Sequence, residues 1–324
     1  MANPVESRHY AMQLIRYPGH RAKGRRPTAL AIGNFDGLHR GHKALVTSVC
    51  ARADEMTPAL MCFEPLPASV FRPEQPVPRL LGPRDKIRLA RDLGIEALFM
   101  MHFTPRFAAL SPDEFIRQVI VETANARLVV VGSDFRFGRR AAGDVALLRE
   151  TGQAAGFEVR VIDEVSHAGE RVSSSAIRAA LGAGRLDLAA EQLGRPYRLS
   201  GRVLRGQQLG RKLGYPTVNL RPPDPPALAG VVAVRVSGPG LQRHPGVASL
   251  GLRPTVAGRG WLLEVHLFDY DDDLYGQHLE VEFVEYLRPE KKFDSLDAMT
   301  RQMGLDSAAA RRILGAEPSA ALMA

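Results

Sequence analysis

The chain has 324 residues, 45 % of them hydrophobic, enough for one large core or two ordinary ones, and two domains is the expectation at this length. No apolar run approaches the roughly 20 residues of a membrane-spanning helix, and MANPVESRHYAMQLIRYPGHRAKGRR lacks the apolar segment of a secretory signal, so a cytoplasmic protein with no membrane partner is expected. The net charge of +8 comes mostly from scattered arginines with one short cluster at Arg21 to Arg26; without a helix-turn-helix, zinc-finger or RNA-binding motif, small anions are expected as partners rather than nucleic acid.

Up to about Ala190, short apolar runs alternate with amphipathic segments. TALAIGNF reads as a strand and HKALVTSVCARADEM as a helix; PALMCFEP is a strand and GPRDKIRLARDLG a helix. EALFMMHF is then a strand, SPDEFIRQVIVETAN a helix opened by a Ser cap and a Pro, and ARLVVVGSDF a strand. This alternation predicts a parallel sheet covered by helices on both faces. Cys50 and Cys62 fall inside these elements with no further partners, which excludes a disulfide framework and a zinc cluster.

After LGRPYRLSG the texture changes. GRVLRG, GVVAVRVSG, GVASLGL, WLLEVHLFDY and LEVEFVEYL are strand-like runs between turns such as GPG and DDDLYGQ, and RPPDPPALAG is a rigid loop. A small antiparallel barrel or sandwich is predicted, closed by the helix DSLDAMTRQMGLDSAAARRIL. The domain boundary is expected between Gly182 and Tyr197.

In GNFDGLHRGH the strand is expected to end near Phe35 and a helix to start near Gly41 or His42, with Gly33, Gly37 and Gly41 allowing a tight turn. Helix amides would then face the carboxyl edge of the sheet, where phosphates bind. His39 and His42 can donate to the same phosphate chain, as adenylyl transfer requires when charge builds on departing pyrophosphate. Two histidines three apart are more often a surface feature; the strand end and the glycines favour the phosphate site. Neither G-x-x-x-x-G-K-[ST] nor G-x-G-x-x-G is present. In VSSSAIRAAL, serines precede an apolar-periodic segment as N-cap candidates, and Arg178 is expected in the first helical turn.

In the second half, GQQLGRKLGYPTVNL carries glycines able to lie against a nucleotide, then Pro216, Thr217 and Asn219. If extended, Thr217 and Asn219 share a face and offer neutral oxygens suited to Mg²⁺ with phosphates. In WLLEVHLFDY, Glu264 lies opposite the stripe Leu263, Val265 and Leu267; by pattern alone it is a solvated strand residue.

GNFDGLHRGH resembles the HxGH nucleotidyltransferases, and closely resembles the prokaryotic bifunctional riboflavin kinase/FAD synthetases. The likeness continues through FEPLP, GSDFRFG, SSSAIR, GRVLRGQQLGRKLGYPTVNL, LEVHLFDYDDDLYG and YLRPEKKFDSLDAMTRQM, over nearly the whole chain. It implies an α/β nucleotidyltransferase domain with a Rossmann-like parallel sheet at 1–187, then a small six-stranded antiparallel β-barrel riboflavin kinase domain with a C-terminal helix at 188–324. The implied enzyme phosphorylates riboflavin with ATP to FMN, then adenylylates FMN to FAD and pyrophosphate, with Mg²⁺, as a monomer or weak oligomer.

Carried onto this chain, the resemblance gives His39 and His42 the ATP phosphates, within a nucleotide site that includes Gly33, Phe35, Asp36, Gly37 and Gly41. Asp134, with Phe135, Phe137 and Gly138, would position nucleotide and flavin, and Ser174, Ser175 and Arg178 would hold phosphates. Gly206, Gly210, Arg211 and Gly214 would contact the kinase nucleotide, Thr217 and Asn219 the metal, and Glu264 would be the base acting on the ribityl hydroxyl. Two departures stand out. The family's SST is SSS here, keeping the hydroxyl, and its FEPHP is FEPLP, so Leu66 has no assigned role. The competing readings are an enzyme retaining one activity and a flavin- or nucleic-acid-binding regulator using the Arg21 to Arg26 arm.

Overall fold

The structure, a computed structural model, describes residues 12–17, 26–205, 215–222, 224–255 and 258–316. The chain divides into two compact units: Met1–Val77 with Pro83–Arg171, and Pro78–Gly82 with Val172–Ala324.

In the first unit β1 (Gln13–Tyr17), β2 (Thr28–Ile32), β3 (Thr57–Glu64), β4 (Ala97–His102), β5 (Ala126–Gly132) and β6 (Glu158–Ile162) form one sheet. The order is β1-β4-β3-β2-β5-β6 and every pairing is parallel, as the alternation of runs predicts. All five residues of β2 are buried, because helices cover both faces. On one face α1 (Arg40–Cys50) packs over β2, β3 and β5, burying Leu45, Val46 and Val49. On the other, Leu30, Met61, Phe99 and Val129 join Phe115, Val119 and Ile120 of a helical segment and Leu148 of a later helix in one cluster.

That helical segment departs from expectation. Ser111 and Glu114 form the reciprocal capping box and Pro112 opens the turn, but the α-helical part spans only Pro112–Glu114, followed by a π-helix over Phe115–Thr123. Apolar spacing over so short a run does not separate the two windings. The remaining helices of this unit are α2 (Pro67–Phe71), α3 (Pro83–Asp92), α4 (Pro105–Ala108), α5 (the Pro112–Glu114 turn) and α6 (Val145–Ala155). A two-stranded ribbon, β7 (Ser166–His167) with β8 (Glu170–Arg171), follows.

In the second unit β9 (Arg198–Leu204), β10 (Val218–Leu220), β11 (Gly230–Gly238), β12 (Leu241–Thr255), β13 (Gly258–Leu267) and β14 (His278–Arg288) close a six-stranded antiparallel barrel. Closure removes both sheet edges. Leu220, Val232, Leu250, Leu263, Val265 and Phe283 fill its core together with residues of α7 (Ser174–Gly182) and α8 (Leu186–Leu193). Segment 78–82 joins this unit: Leu80 is in the same cluster, and the Arg79 guanidinium pairs with Asp224 at 2.7 Å. α9 (Leu296–Leu314), capped by the Ser295 hydroxyl, lays Ala310 and Leu314 against Val231, Val247 and Phe268.

Candidate functional site

The strand order of the first unit places its site. From β2 the chain moves through β3 to β4 on one side, then returns to β5 on the other, so the sheet reverses direction between β2 and β5. Ligands of open α/β sheets bind outside the carboxyl ends of strands at such a reversal. GNFDGLHRGH leaves the end of β2 and GSDFRFG leaves the end of β5, and these strands are hydrogen-bonded neighbours.

The turn after β2 is tightly constrained. The strand ends at Ile32 rather than near Phe35, because Phe35, Gly37 and Leu38 adopt positive φ of 47°, 88° and 42° and break the extended run. Phe35, Leu38 and Asp36 are buried, so the turn is fixed by packing and not solvated. Helix α1 begins at Arg40, one residue earlier than expected, since His39 itself is the cap: its Nδ1 accepts the His42 backbone N–H at 3.3 Å. An accepting Nδ1 leaves Nε2–H to donate. The rings of His39 and His42 stack with centroids 3.6 Å apart, and Phe35 lies 5.1 Å from His42. Gly41 falls inside the first turn of α1, next to the amides that carry the positive end of the dipole.

Lys86 was not legible as part of this site. In sequence it belongs to an amphipathic helix with charged neighbours, yet on α3 it is 1 % exposed. Its ammonium donates to Glu64 Oε1 at 2.8 Å and to the Asn34 carbonyl at 3.0 Å, tying the end of β3 to the turn after β2.

After β5, Asp134 is exposed and paired with Arg171 at 2.7 Å, and Arg171 also pairs with Glu164. Phe137 is buried, stacks on Phe135 and packs against Phe115, so it belongs to the core. Gly138 has φ of 72°, and a Cβ there would meet the Pro112 backbone at 2.8 Å, so only glycine fits.

Ser174, Ser175 and Arg178 belong to the second compact unit. The cap of α7 is Ser173, whose hydroxyl accepts the Ala176 N–H at 3.1 Å; Ser174 and Ser175 are the first two helical residues. Arg178 lies in the second turn rather than the first, because the helix begins at Ser174, and its Nε donates to the Pro78 carbonyl at 2.6 Å.

In the barrel, antiparallel register brings two of the residues expected to act in the kinase, Asn219 and Glu264, into one row. Asn219 on β10 faces Glu264 on β13, which faces Ser249 on β12. Leu220, Leu263 and Leu250 form the adjacent inward row, so the first row lies on the opposite face, as the alternation around Glu264 predicts. Gly206, Gly210, Arg211 and Gly214 lie outside the described residues. The His266 ring, two residues from Glu264, shares a 2.9 Å hydrogen bond through Nδ1 with the Pro216 carbonyl, just before Thr217. Burial pushes the His266 pKa below its ordinary value, against the opposing pull of that carbonyl.

Three residues around Glu264 escaped sequence reading: Ser249, Arg253 and Glu290. The Arg253 Nε donates to Glu264 Oε2 at 3.0 Å, one terminal nitrogen to Glu290 Oε1 at 2.6 Å, and the other to the Ser249 hydroxyl at 3.0 Å. Burial disfavours the Arg253 charge, but the hydrogen bonds and the two carboxylates outweigh it, so its pKa is raised. Among the described residues no group of three or more His, Cys, Asp or Glu forms a metal cluster.

Comparison with known proteins agrees with this two-unit arrangement. The FAD synthetase family model matches residues 21–176, and the riboflavin kinase model residues 193–314. The bifunctional riboflavin kinase/FMN adenylyltransferase of Escherichia coli K12 is 41 % identical over 290 residues, covering 88 % of this chain and 92 % of that protein. The protein of the same name from Pseudomonas fluorescens is 41 % identical over 317 residues, covering 95 % and 99 %. A solved structure described as a macrolide-efflux protein from Streptococcus pneumoniae is 29 % identical, with a TM-score of 0.75 over 92 % of this chain and 98 % of that one. Among the described residues no helix is long and apolar enough to cross a membrane. With both domains matched and this identity over most of its length, the chain belongs to the bifunctional riboflavin kinase/FMN adenylyltransferase family, and it phosphorylates riboflavin to FMN and adenylylates FMN to FAD.

Proposed function

We propose that the two chemistries are divided at 187/188, with adenylyl transfer assigned to residues 1–187 and phosphorylation to 188–324; the matched spans 21–176 and 193–314 fall on either side. In the first reaction Glu264 accepts the proton of the ribityl 5′-hydroxyl as that oxygen attacks the γ-phosphorus of ATP. The row Asn219–Glu264–Ser249 on one barrel face is the observation that carries this reading. Asn219 in that row and Thr217 two residues before it are neutral oxygen donors, a set that fits Mg²⁺, which fills most of its octahedron with phosphate and water. The bound ion would neutralise charge on the phosphate oxygens. Gly206, Gly210, Arg211 and Gly214 supply nucleotide contacts in this reading.

In the second reaction an FMN phosphate oxygen attacks the α-phosphorus of a second ATP and pyrophosphate leaves. His39 and His42 donate to the phosphate oxygens, with the α1 amides adding positive potential where charge develops. The Gly33–Gly41 turn, with Phe35, Asp36 and Gly37, holds those donors in place. Asp134 and Phe135 act on nucleotide and flavin, while Phe137 and Gly138 act by shaping the loop after β5. Ser174, Ser175 and Arg178 hold phosphate oxygens; the third serine keeps the hydroxyl of the family's threonine. The protein works in the cytoplasm as a monomer or weak oligomer, without nucleic acid. Against a basic nucleic-acid arm, the Arg26 guanidinium is bonded to the Ala53 and Asp54 carbonyls at 3.0 and 2.7 Å.

The test is a time course of products from purified protein with riboflavin, ATP and Mg²⁺. FMN should rise and give way to FAD, Glu264→Ala should block the first step and His42→Ala the second. Full FAD synthesis by His42→Ala would remove the assignment of the first site.

A further inference from the structure

We propose that Glu290 is a positioning residue for the kinase base: it holds Arg253, Arg253 holds Glu264, and position 251 is glycine because the Glu290 carboxylate occupies the space of a side chain there. The inference rests on the reading of Glu264 as the base.

The geometry is that of one planar fork shared three ways. Arg253 spends Nε on Glu264 at 3.0 Å, one terminal nitrogen on Glu290 at 2.6 Å and the other on Ser249 at 3.0 Å. The Ser249 hydroxyl in turn donates to Glu290 at 3.3 Å. With its terminal nitrogens so engaged, the guanidinium meets Glu264 through a single nitrogen and a single oxygen, Oε2. The other oxygen, Oε1, is then the one that takes the hydroxyl proton. An arginine released from Glu290 is able to turn and grip a carboxylate with two parallel hydrogen bonds, its preferred geometry. That grip would engage both oxygens of Glu264 and remove its capacity to accept a proton. Glu290 therefore keeps the contact one-sided.

Gly251 supplies an independent observation. It lies midway between Ser249 and Arg253 on β12, so all three share a face. A Cβ built there would overlap the Glu290 carboxylate, and the nearest atoms it meets all belong to that side chain. The Gly251 backbone has no left-handed φ, so alanine is conformationally acceptable, and the nearest atoms its methyl would meet are those of the Glu290 carboxylate, which it would push out.

The experiment measures steady-state FMN formation by the full-length protein carrying Gly251→Ala, Glu290→Ala or both, with FAD formation from added FMN as a control for folding in each preparation. Each single change should lower kcat for FMN formation about tenfold, with the KM for riboflavin within about twofold, since only the reacting geometry is disturbed. The double variant should be no slower than Glu290→Ala, because without the carboxylate the new methyl enters vacated space. Glu290→Gln, which keeps an acceptor for Arg253, should recover to within about threefold of the parent. Undiminished kcat in Gly251→Ala, single effects that multiply to about a hundredfold in the double, or an equal loss of FAD formation would each overturn the proposal. Glu264→Gln separates it from its premise: full kinase activity there sinks the base assignment itself, whereas loss there with no loss in Glu290→Ala sinks the positioning role alone.

Discussion

His39 caps the helix on which His42 stands. The Nδ1 of His39 accepts the His42 backbone N–H at 3.3 Å, and the two rings stack at 3.6 Å. One imidazole thus does through Nδ1 the work usually given to Ser, Asp or Asn at a helix start, and in the proposed reading it acts on phosphate through Nε2. Structural and chemical roles of His39 are therefore separable by substitution.

His39→Asn should keep the cap through Oδ1 but withdraw the Nε2–H donor, because the shorter carboxamide's NH₂ does not reach as far as the imidazole, so FAD formation from FMN falls by about 10²-fold or more while thermal stability holds. His39→Ala should show the same catalytic loss together with about 1 kcal/mol of destabilisation from the missing cap. His42→Ala should lose activity with the cap intact. Rates with added FMN, set beside melting curves of the three proteins, check the pattern; a fully active His39→Asn would leave that residue as a cap only.

If Asn219 holds the metal as proposed, Asn219→Ala should raise the Mg²⁺ concentration needed for half-maximal FMN formation, since one neutral oxygen ligand is gone and the ion must replace it with water. The response of FAD formation from FMN to Mg²⁺ should be unchanged. A titration of both activities against Mg²⁺ in one preparation tests this, and an unchanged kinase curve would remove Asn219 from the metal site.

Lys86→Met should destabilise the first unit by about 3–5 kcal/mol, because the Glu64 carboxylate loses its charge partner at a nearly buried position. Adding Glu64→Gln should restore much of the loss by removing the carboxylate charge that Lys86 had balanced. The single tryptophan, Trp261, lies in β13 of the barrel, so its fluorescence follows the second unit alone. In denaturant, that signal should keep its midpoint while far-ultraviolet circular dichroism shows an earlier transition.

Cys50 should be inert. Burial, with the nearby Glu96 charge, pushes its thiol up to about 11, and Cys62 is fully buried. At pH 8 a thiol of that pKa is about one part in a thousand thiolate, the reactive form. Iodoacetamide at pH 8 should leave the native protein unlabelled and modify both cysteines after unfolding; rapid native labelling of Cys50 would contradict the burial described.

Much of this was legible because period and chemistry coincide in the sequence. The parallel sheet announces itself in runs such as TALAI and LVVV, whose lack of alternation reflects burial on both faces. The barrel shows in alternating runs such as LLEVHL, where Glu264 and His266 fall opposite the leucines. What stayed hidden depends on distant chain segments meeting. Lys86 reads as a solvated helix residue until Glu64 and the Asn34 carbonyl are brought to it. Arg253 and Glu290 are 37 residues apart, and although Glu290 falls in the YLRPEKKF segment nothing in the sequence pairs the two; Arg253 reaches Glu264 from β12, and Glu290, just past the end of β14, reaches Arg253. Gly251 looks like any strand glycine until its missing atom is seen to be filled.

Leu80 has a consequence for anyone wishing to take the enzyme apart. Five residues, Pro78–Gly82, are lent by the N-terminal half of the sequence to the compact unit of the C-terminal half, with Leu80 in its core and Arg79 paired to Asp224. The polypeptide is stitched through the second body before returning to finish the first. A single cut between Arg171 and Val172 would leave the barrel fragment with a hole where a leucine belonged. A gene shortened to the barrel encodes a protein missing part of its own interior, and a minimal kinase module would have to be supplied with a substitute for that stitch.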